Sequence, residues 1–236
     1  MPTFGPIYCE TLGFVSGVFP AEPINTISNL AIIFFAIAAF FVICRRTPSA
    51  IDLYVLCGLL LVNGVGSFLW HGTRTRWALS LDVLPALIFV FGFFFIWARR
   101  ISPLWQALLL LLGFYVLSQF LRSIDFVPYG RWASMMPAVV LFGSWLIWNT
   151  WAHSRRAALL GAAALGTALL GLTFRTIDET ACNYIPFGTH FLWHIFMSAG
   201  AFLGVIALIV LTQESFAGGR KQATPATFKA AADSQV

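Results

Sequence analysis

The chain alternates between long apolar stretches and short polar breaks. Seven stretches are long enough to cross a membrane as helices, because about 20 residues span roughly 30 Å of hydrocarbon. None of the seven contains Lys or Arg, and they cover residues 27–44, 51–71, 80–98, 103–121, 133–152, 157–174 and 189–211. The pattern predicts an all-α polytopic membrane protein built as a bundle of seven transmembrane helices.

The same pattern divides the chain into three parts. An N-terminal segment (1–26) precedes the membrane-spanning domain (27–213), and a polar tail (214–236) follows it. We expect the tail to be disordered, because it is rich in Ala, Lys, Gly and Thr and has little apolar surface to bury. No cleavable signal peptide is evident, so insertion would rely on the first span.

Composition excludes an ordinary soluble domain. Hydrophobic residues make up 59% of the chain and charged residues only 10%, whereas soluble proteins carry about 25% charged residues. The formal net charge is +5, but the basic residues lie mostly in pairs between apolar stretches, where they encode membrane topology. We therefore predict no nucleic-acid partner, and no protein partner is evident.

The distribution of Lys and Arg predicts the orientation. Nine of the fourteen fall on one side of the bundle and five on the other, and most acids lie on the five-residue side. Because the cytoplasmic side carries the excess of basic residues, we expect the C-terminus in the cytoplasm and the N-terminus outside or in a lumen.

Two cysteines fit this orientation. Cys9 lies in the N-terminal segment and Cys182 in the loop before the last span, both on the predicted outer side. Disulfides persist in such compartments, so we predict a Cys9–Cys182 bridge. Two free thiols are the alternative, because one sequence does not fix cysteine pairing.

The few ionisable residues of the spans cluster near their predicted outer ends. His71 ends the second span and Ser67 lies four residues earlier, so both face one side of the helix. His190 and His194 open the seventh span, again four residues apart, and Asp82 opens the third. Ionisable residues inside membranes are rare and are functional by default.

This set has the chemistry of a metal site. Two His at i and i+4 present a pair of ligands on one helix face. With His71 they form a three-histidine set that leaves a fourth position open for water, as in catalytic zinc sites. Asp82 would act as general base or orient an imidazole, and Ser67 would stabilise a developing oxyanion or bond the water.

Each residue also has a simpler interpretation. A lone His at a membrane interface is often only hydrogen-bonded, and Ser often packs between transmembrane helices. The combination of three His and one Asp at one depth favours the metal site. His153 lies in a predicted cytoplasmic loop beside Arg155 and Arg156, so we interpret it as a solvated residue outside the site.

Several strings resemble the alkaline ceramidases. The closing string is Gly-Thr-His-Phe-Leu-Trp-His at 188–194, and the second span ends in Gly-Ser-Phe-Leu-Trp-His-Gly-Thr at 66–73, followed by Leu-Asp-Val-Leu-Pro at 81–85. Cys9-Glu10, Glu22 and Asn-Thr-Ile-Ser-Asn at 25–29 also match. The resemblance covers nearly the whole chain up to the polar tail, and the wider superfamily includes the adiponectin and progestin receptors.

The resemblance implies a zinc-dependent amidase that splits ceramide into sphingosine and a fatty acid. It implies zinc ligation by His71, His190 and His194, and supporting catalytic roles for Ser67 and Asp82. It also implies a disulfide between Cys9 and Cys182 and a luminal or outer N-terminus.

A calcium site is a further expectation from the resemblance, with a departure. Family members bind calcium through an acidic N-terminal segment, where this chain has Glu10 and Glu22. Ile7 and Leu12 stand where an acid and an asparagine would be expected. Calcium takes six to eight oxygen ligands, so the alternative is that both glutamates are ordinary acids of an interfacial loop.

The partner predicted by this site is a membrane lipid. An acyl chain would enter the bundle directly from the bilayer, with its scissile bond at the depth of the histidines. One rival is a hydrolase of another N-acyl or O-acyl lipid. A second is a receptor of the adiponectin-receptor type with a structural zinc, although the short termini argue against it. A transporter would bring internal repeats and discontinuous helices, which are not evident.

Overall fold

The computed structural model describes residues 5–13, 15, 17–124 and 136–222, with side chains described as far as residue 214. Within these ranges the chain is helical and contains no strand. A short 3-10 helix at Glu10–Gly13 precedes the α-helices, which are α1 (Pro23–Ser28), α2 (Leu30–Arg46), α3 (Ile51–Thr73), α4 (Arg76–Ile101), α5 (Leu104–Ser123), α6 (Met136–Trp151), α7 (Arg155–Thr176), α8 (Asp178–Ala181) and α9 (His190–Gln222).

Six segments of the described chain are long and apolar enough to cross a membrane. They are Pro23–Arg46, Ile51–Thr73, Arg76–Ile101, Leu104–Ser123, Arg155–Thr176 and His190–Glu214. The other predicted span, 133–152, corresponds to α6, whose 16 described residues are too few to count as a span. Residues 125–135, where that span was predicted to begin, lie outside the described ranges. The prediction of an all-α, multi-pass membrane protein is confirmed.

Two helices exceed the predicted spans by the most residues. α4 begins at Arg76 instead of residue 80, and α9 continues to Gln222 instead of ending at residue 211. The last helix therefore extends past residue 214, where the sequence analysis starts the tail. Residues 223–236 lie outside the described ranges, so the disorder of the tail stays a prediction.

The outside of the bundle is apolar and its interior is packed with small residues. Phe34 and Phe41 of α2 are more than half exposed, as is Leu109 of α5. Inside, Ala39 and Ala157 are fully buried. This arrangement is expected in lipid, where the exterior needs no polar cover and helices approach each other through small side chains.

The two ends of the bundle differ in chemistry. The breaks after α2, α4 and α6 form one end and hold the Arg pairs, and there Arg100 forms an ion pair of 2.9 Å with Asp52. The N-terminal segment folds over the opposite end, where the backbone N–H groups of Ala21 and Glu22 donate to the carbonyls of Gly72 and His71. All the candidate site residues lie at this second end.

Candidate active site

Three histidines from two helices converge beneath the N-terminal segment. His71 comes from the last turn of α3, and His190 and His194 come from the first two turns of α9. All three are 1–2% exposed, and one ring nitrogen from each lies within 4.8 Å of the others. Their ring centroids are separated by 4.6 to 5.2 Å. The structure thus brings the three histidines together.

This spacing fits a single small metal ion. Imidazoles arranged tetrahedrally about zinc, with Zn–N about 2.0–2.1 Å, have ring centroids roughly 5 Å apart. The centroids of the three described rings have this spacing. The chain therefore has a buried three-histidine group that is able to bind a metal.

The second nitrogen of His71 is held by a buried carboxylate. Its Nδ1 lies 2.5 Å from Oε2 of Glu22, and both side chains are shielded from solvent. A metal-ligating His commonly donates its other N–H to a carboxylate, which fixes the ring and its tautomer. When the Nδ1–H of His71 donates to Glu22, the lone pair of Nε2 is left for the centre of the cluster.

His194 is oriented by a hydroxyl. Its Nδ1 lies 2.7 Å from Oγ of Ser28, and this hydroxyl also donates to the carbonyl of Asn25 at 2.9 Å. Because a serine hydroxyl has one proton, Ser28 accepts the hydrogen bond from His194. The Nε2 lone pair of His194 is then also free for a metal.

His190 is held by stacking. The ring of Tyr8 stacks on it at a centroid distance of 3.9 Å, and Nη1 of Arg175 lies 3.4 Å from its Nδ1. A guanidinium only donates hydrogen bonds. Metal ligation through Nε2 would put the proton of His190 on Nδ1, so Arg175 would have to turn aside.

Ser67 and Asp82 lie beside each other where α3 and α4 make their closest approach. A Cβ on Gly66 would overlap the backbone of Leu81 and Asp82, so only glycine allows this approach. Asn63 Nδ2 donates to the Asp82 carboxylate at 3.1 Å, and Ser67 lies near the same carboxylate. Both predicted residues line the cavity that the three histidines also line.

Two contacts fasten the N-terminal segment to the stretch of chain just before α9, which contains Asp178 and Cys182. Cys9 and Cys182 form a disulfide, as predicted. Asp178, which is 2% exposed, accepts hydrogen bonds from the backbone N–H groups of Cys9, Thr189 and His190. The first N–H groups of a helix have no partner within the helix. By accepting those of Thr189 and His190, Asp178 also caps the start of α9 and fixes the position of the two histidines.

The residues of the expected calcium site do not fit a calcium ion. Glu22 has Thr11 and Arg74 at Oε1, and His71 and Asn25 at Oε2, so its capacity is filled. Nη1 of Arg74 lies 3.1 Å from Oε1 as an ion pair without hydrogen-bond geometry, and it already supplies a positive charge.

Glu10 caps the N-terminus of α1. Its two carboxylate oxygens accept the backbone N–H groups of Ile24 and Asn25 in the first turn of α1. Burial raises the pKa of both Glu10 and Glu22, and the hydrogen bonds that each accepts oppose that rise. Both glutamates thus have structural partners within the chain.

The site opens into a long apolar cavity of about 250 Å³. Its polar end is formed by the side chains of Tyr8, Ser67, His71, Asp82, Arg175, His190 and His194. The remaining walls are mainly aliphatic and aromatic residues of α4, α6, α7 and α9. Such a shape suits a molecule with one polar group and a long apolar chain.

Several residues that contact the histidines could not be predicted from the sequence pattern. Tyr8, Ser28 and Arg175 contact the histidines, but none of them shares a helix with a histidine, so spacing along a helix gave no signal. Arg74 and Glu22 are 1% and 0% exposed as side chains. A charged residue directly after the His71 helix is the one feature that pointed toward Arg74.

Comparison with known families places most of the chain in one of them. The model of the ceramidase family matches residues 7–229. No curated protein matches the chain. The matched range includes every residue that lines the polar end of the cavity.

Proposed function

The chain belongs to the ceramidase family, and we propose that it is a zinc-dependent intramembrane amidase that hydrolyses the N-acyl bond of ceramide to sphingosine and a free fatty acid. The observation that carries this proposal is the position of three buried imidazoles at the polar end of a long apolar cavity. Family membership supports hydrolase chemistry on an amide, and the cavity supports a lipid substrate.

His71, His190 and His194 would hold the zinc ion. A bound zinc would supply a Lewis acid that polarises the amide carbonyl and acidifies a water molecule. Glu22 and Ser28 would keep two of the three rings in the ligating tautomer through their Nδ1 contacts. This set of donors is the one typical of catalytic zinc sites.

Asp82 is the proposed general base. Its carboxylate is half-buried and faces the cavity, where it would take a proton from the attacking water. The new C–O bond would form as the water loses that proton, and the same proton would then pass to the amide nitrogen as the C–N bond breaks. The products are then a carboxylic acid and an amine, and Asp82 is regenerated as a carboxylate.

Ser67 and Asn63 would position that base. Both are next to the Asp82 carboxylate, and Ser67 is 2% exposed. Hydrogen bonds to a carboxylate fix its orientation and favour its charged form. In an alternative role, the single proton of the Ser67 hydroxyl would point to the carbonyl oxygen and stabilise the negative charge that develops there, which leaves Asn63 to hold Asp82.

We also propose that the site faces the outer or luminal side. The basic residues between α2 and α3, α4 and α5, and α6 and α7 lie at the opposite end of the bundle, which the positive-inside rule assigns to the cytoplasm. The Cys9–Cys182 disulfide at the site end supports an oxidising compartment there. The C-terminus would then be cytoplasmic.

Product analysis tests the proposal. The full-length protein is purified and incubated with a panel of ceramides and of other N-acyl and O-acyl lipids, with and without a zinc chelator. We expect fatty acid and sphingosine from ceramide, loss of turnover with chelator, and none from His194→Ala. His153→Ala is the matched control, because His153 is exposed and outside the site.

Each outcome separates this proposal from its rivals. Cleavage of another acyl lipid in preference to ceramide would support the assignment as a hydrolase but would show that ceramide is not its substrate. Zinc binding without cleavage of any lipid would favour the receptor with a structural zinc.

A further inference from the structure

The apolar cavity has a floor far from the histidines. Along α4 its lining residues run from Asp82 at the polar end to Trp97, fifteen residues later, or about 22 Å at about 1.5 Å per residue. Along α7 they run from Arg175 to Gly161, or about 21 Å by the same rise. Two helices therefore give the same depth.

Trp97 closes this deep end and is fixed there. It is 3% exposed, and its Nε1 donates to Oγ1 of Thr150 at 2.7 Å. The ring of Phe93 packs edge-on against it at 5.4 Å. A Cβ on Gly161 would overlap the six-membered ring of Trp97, so the indole fills the space that this glycine leaves open.

A floor of this kind limits the length of the ligand. The hydrocarbon of one leaflet is roughly half of about 30 Å, so a cavity of about 22 Å accepts a chain as long as those of ordinary membrane lipids. Beyond Trp97 a longer chain would have to displace a buried, hydrogen-bonded indole. We infer that Trp97 is the specificity-determining residue that sets the longest acyl chain the protein accepts.

This inference rests on the proposed function, because the cavity is taken to hold the acyl chain of the substrate. The acyl chain reaches the cavity from the bilayer, which is already apolar, so an added methylene gains little hydrophobic free energy on entry. A chain that presses against the floor is instead disfavoured by overpacking, which lowers affinity by roughly 5- to 150-fold. Removing the indole should therefore shift the preferred chain length by several carbons toward longer chains. Chains shorter than the present optimum should be hydrolysed less efficiently, because they leave the enlarged cavity partly empty.

The test is a chain-length profile. The full-length protein and Trp97→Ala are assayed in nanodiscs with ceramides whose acyl chains lengthen by two carbons at a time. We expect kcat/KM for chains two carbons above the present optimum to rise about tenfold relative to the optimum chain, since the indole no longer obstructs them. Trp148→Ala is the matched control, because Trp148 lies on α6 and is 81% exposed.

A second variant acts in the opposite direction. Ile147 lines the same deep end, so Ile147→Phe should raise the floor and shift the profile toward shorter chains. The opposed shifts distinguish a floor from general damage to the fold, which would lower activity at every length. An unchanged profile in Trp97→Ala, with activity retained, would overturn the inference.

A binding readout separates this inference from the proposed function. Free fatty acids of graded length are added to the same proteins, and the rise in melting temperature is measured without any hydrolysis. The length that stabilises most should increase in Trp97→Ala and decrease in Ile147→Phe. If these shifts occur but no lipid is hydrolysed, the proposed function is wrong and the role of Trp97 in limiting chain length is supported. If hydrolysis occurs without the shifts, the role of Trp97 is wrong.

Discussion

Nδ1 of His71 lies 2.5 Å from Oε2 of Glu22, and the two side chains are 1% and 0% exposed. Forty-nine residues separate them along the chain, and the fold of the N-terminal segment over the bundle brings them together. The contact links that segment directly to the candidate metal ligands. The N-terminal segment is therefore part of the site.

Glu22→Gln should weaken metal binding without removing a ligand. The amide keeps the shape of the side chain but loses the charge that orients His71, and losing such an outer partner lowers metal affinity by about 10–100-fold. Competition with a chromogenic zinc chelator measures this change. Glu10→Gln is the control, because Glu10 contacts the backbone of α1 and no histidine; equal losses in the two variants would refute the role of Glu22.

Calcium should have no effect on this protein. Arg74 provides a positive charge 3.1 Å from Glu22 Oε1, and the remaining groups around that carboxylate fill its oxygens. Adding calcium or a calcium-selective chelator should leave both the rate and the melting temperature unchanged, whereas zinc chelation should stop the reaction. A calcium-dependent rate would show that the two glutamates bind calcium after all.

Arg74→Met should lower the stability of the fold. It leaves the buried carboxylate of Glu22 without its cation, which typically destabilises a protein by about 3–5 kcal/mol. Arg122→Met is the comparison, because Arg122 is exposed at the same end of the bundle.

Reduction of the Cys9–Cys182 disulfide should loosen the N-terminal segment. The bridge joins residues 173 apart, and removing a native disulfide typically costs about 2–4 kcal/mol. Because Tyr8 is adjacent to Cys9 and stacks on His190, we expect activity to fall with stability. Thermal unfolding of Cys182→Ser measures this change, with Cys44→Ser as the exposed control; identical melting temperatures for the two would contradict the expectation.

Gly66→Ala should separate α3 from α4 at the site. Its methyl group would overlap the backbone of Leu81 and Asp82, so Ser67 and Asp82 would move apart and turnover should fall by at least tenfold. Gly58→Ala in the same helix has nothing within 4 Å of its new methyl group, and alanine favours a helix by up to about 1 kcal/mol. Full activity in Gly66→Ala would show that this close approach is unnecessary.

The membrane fold and the three-histidine group could be predicted from the sequence, because both depend on local patterns. The hydropathy of each span is a property of about 20 consecutive residues, and the four-residue spacing of His190 and His194 places both on one helix face. His71 and Asp82 could be added because the ends of neighbouring spans meet at one membrane depth.

The roles of Glu22, Ser28 and Arg74 could not be predicted in the same way. Each depends on how the N-terminal segment folds over the bundle, and that path is set by the contacts of Asp178 and the disulfide rather than by any periodicity. The resemblance assigned Glu22 to calcium. In the structure an arginine of this chain supplies the positive charge beside it.

Metal analysis tests the central claim most directly. The full-length protein, purified without added metal or chelator, is measured for zinc per polypeptide alongside His194→Ala and His153→Ala. The three-histidine site predicts about one zinc per chain in the wild type and in His153→Ala, and a strong loss in His194→Ala. A wild-type protein without stoichiometric metal, or a His194→Ala variant that keeps it, would contradict the account.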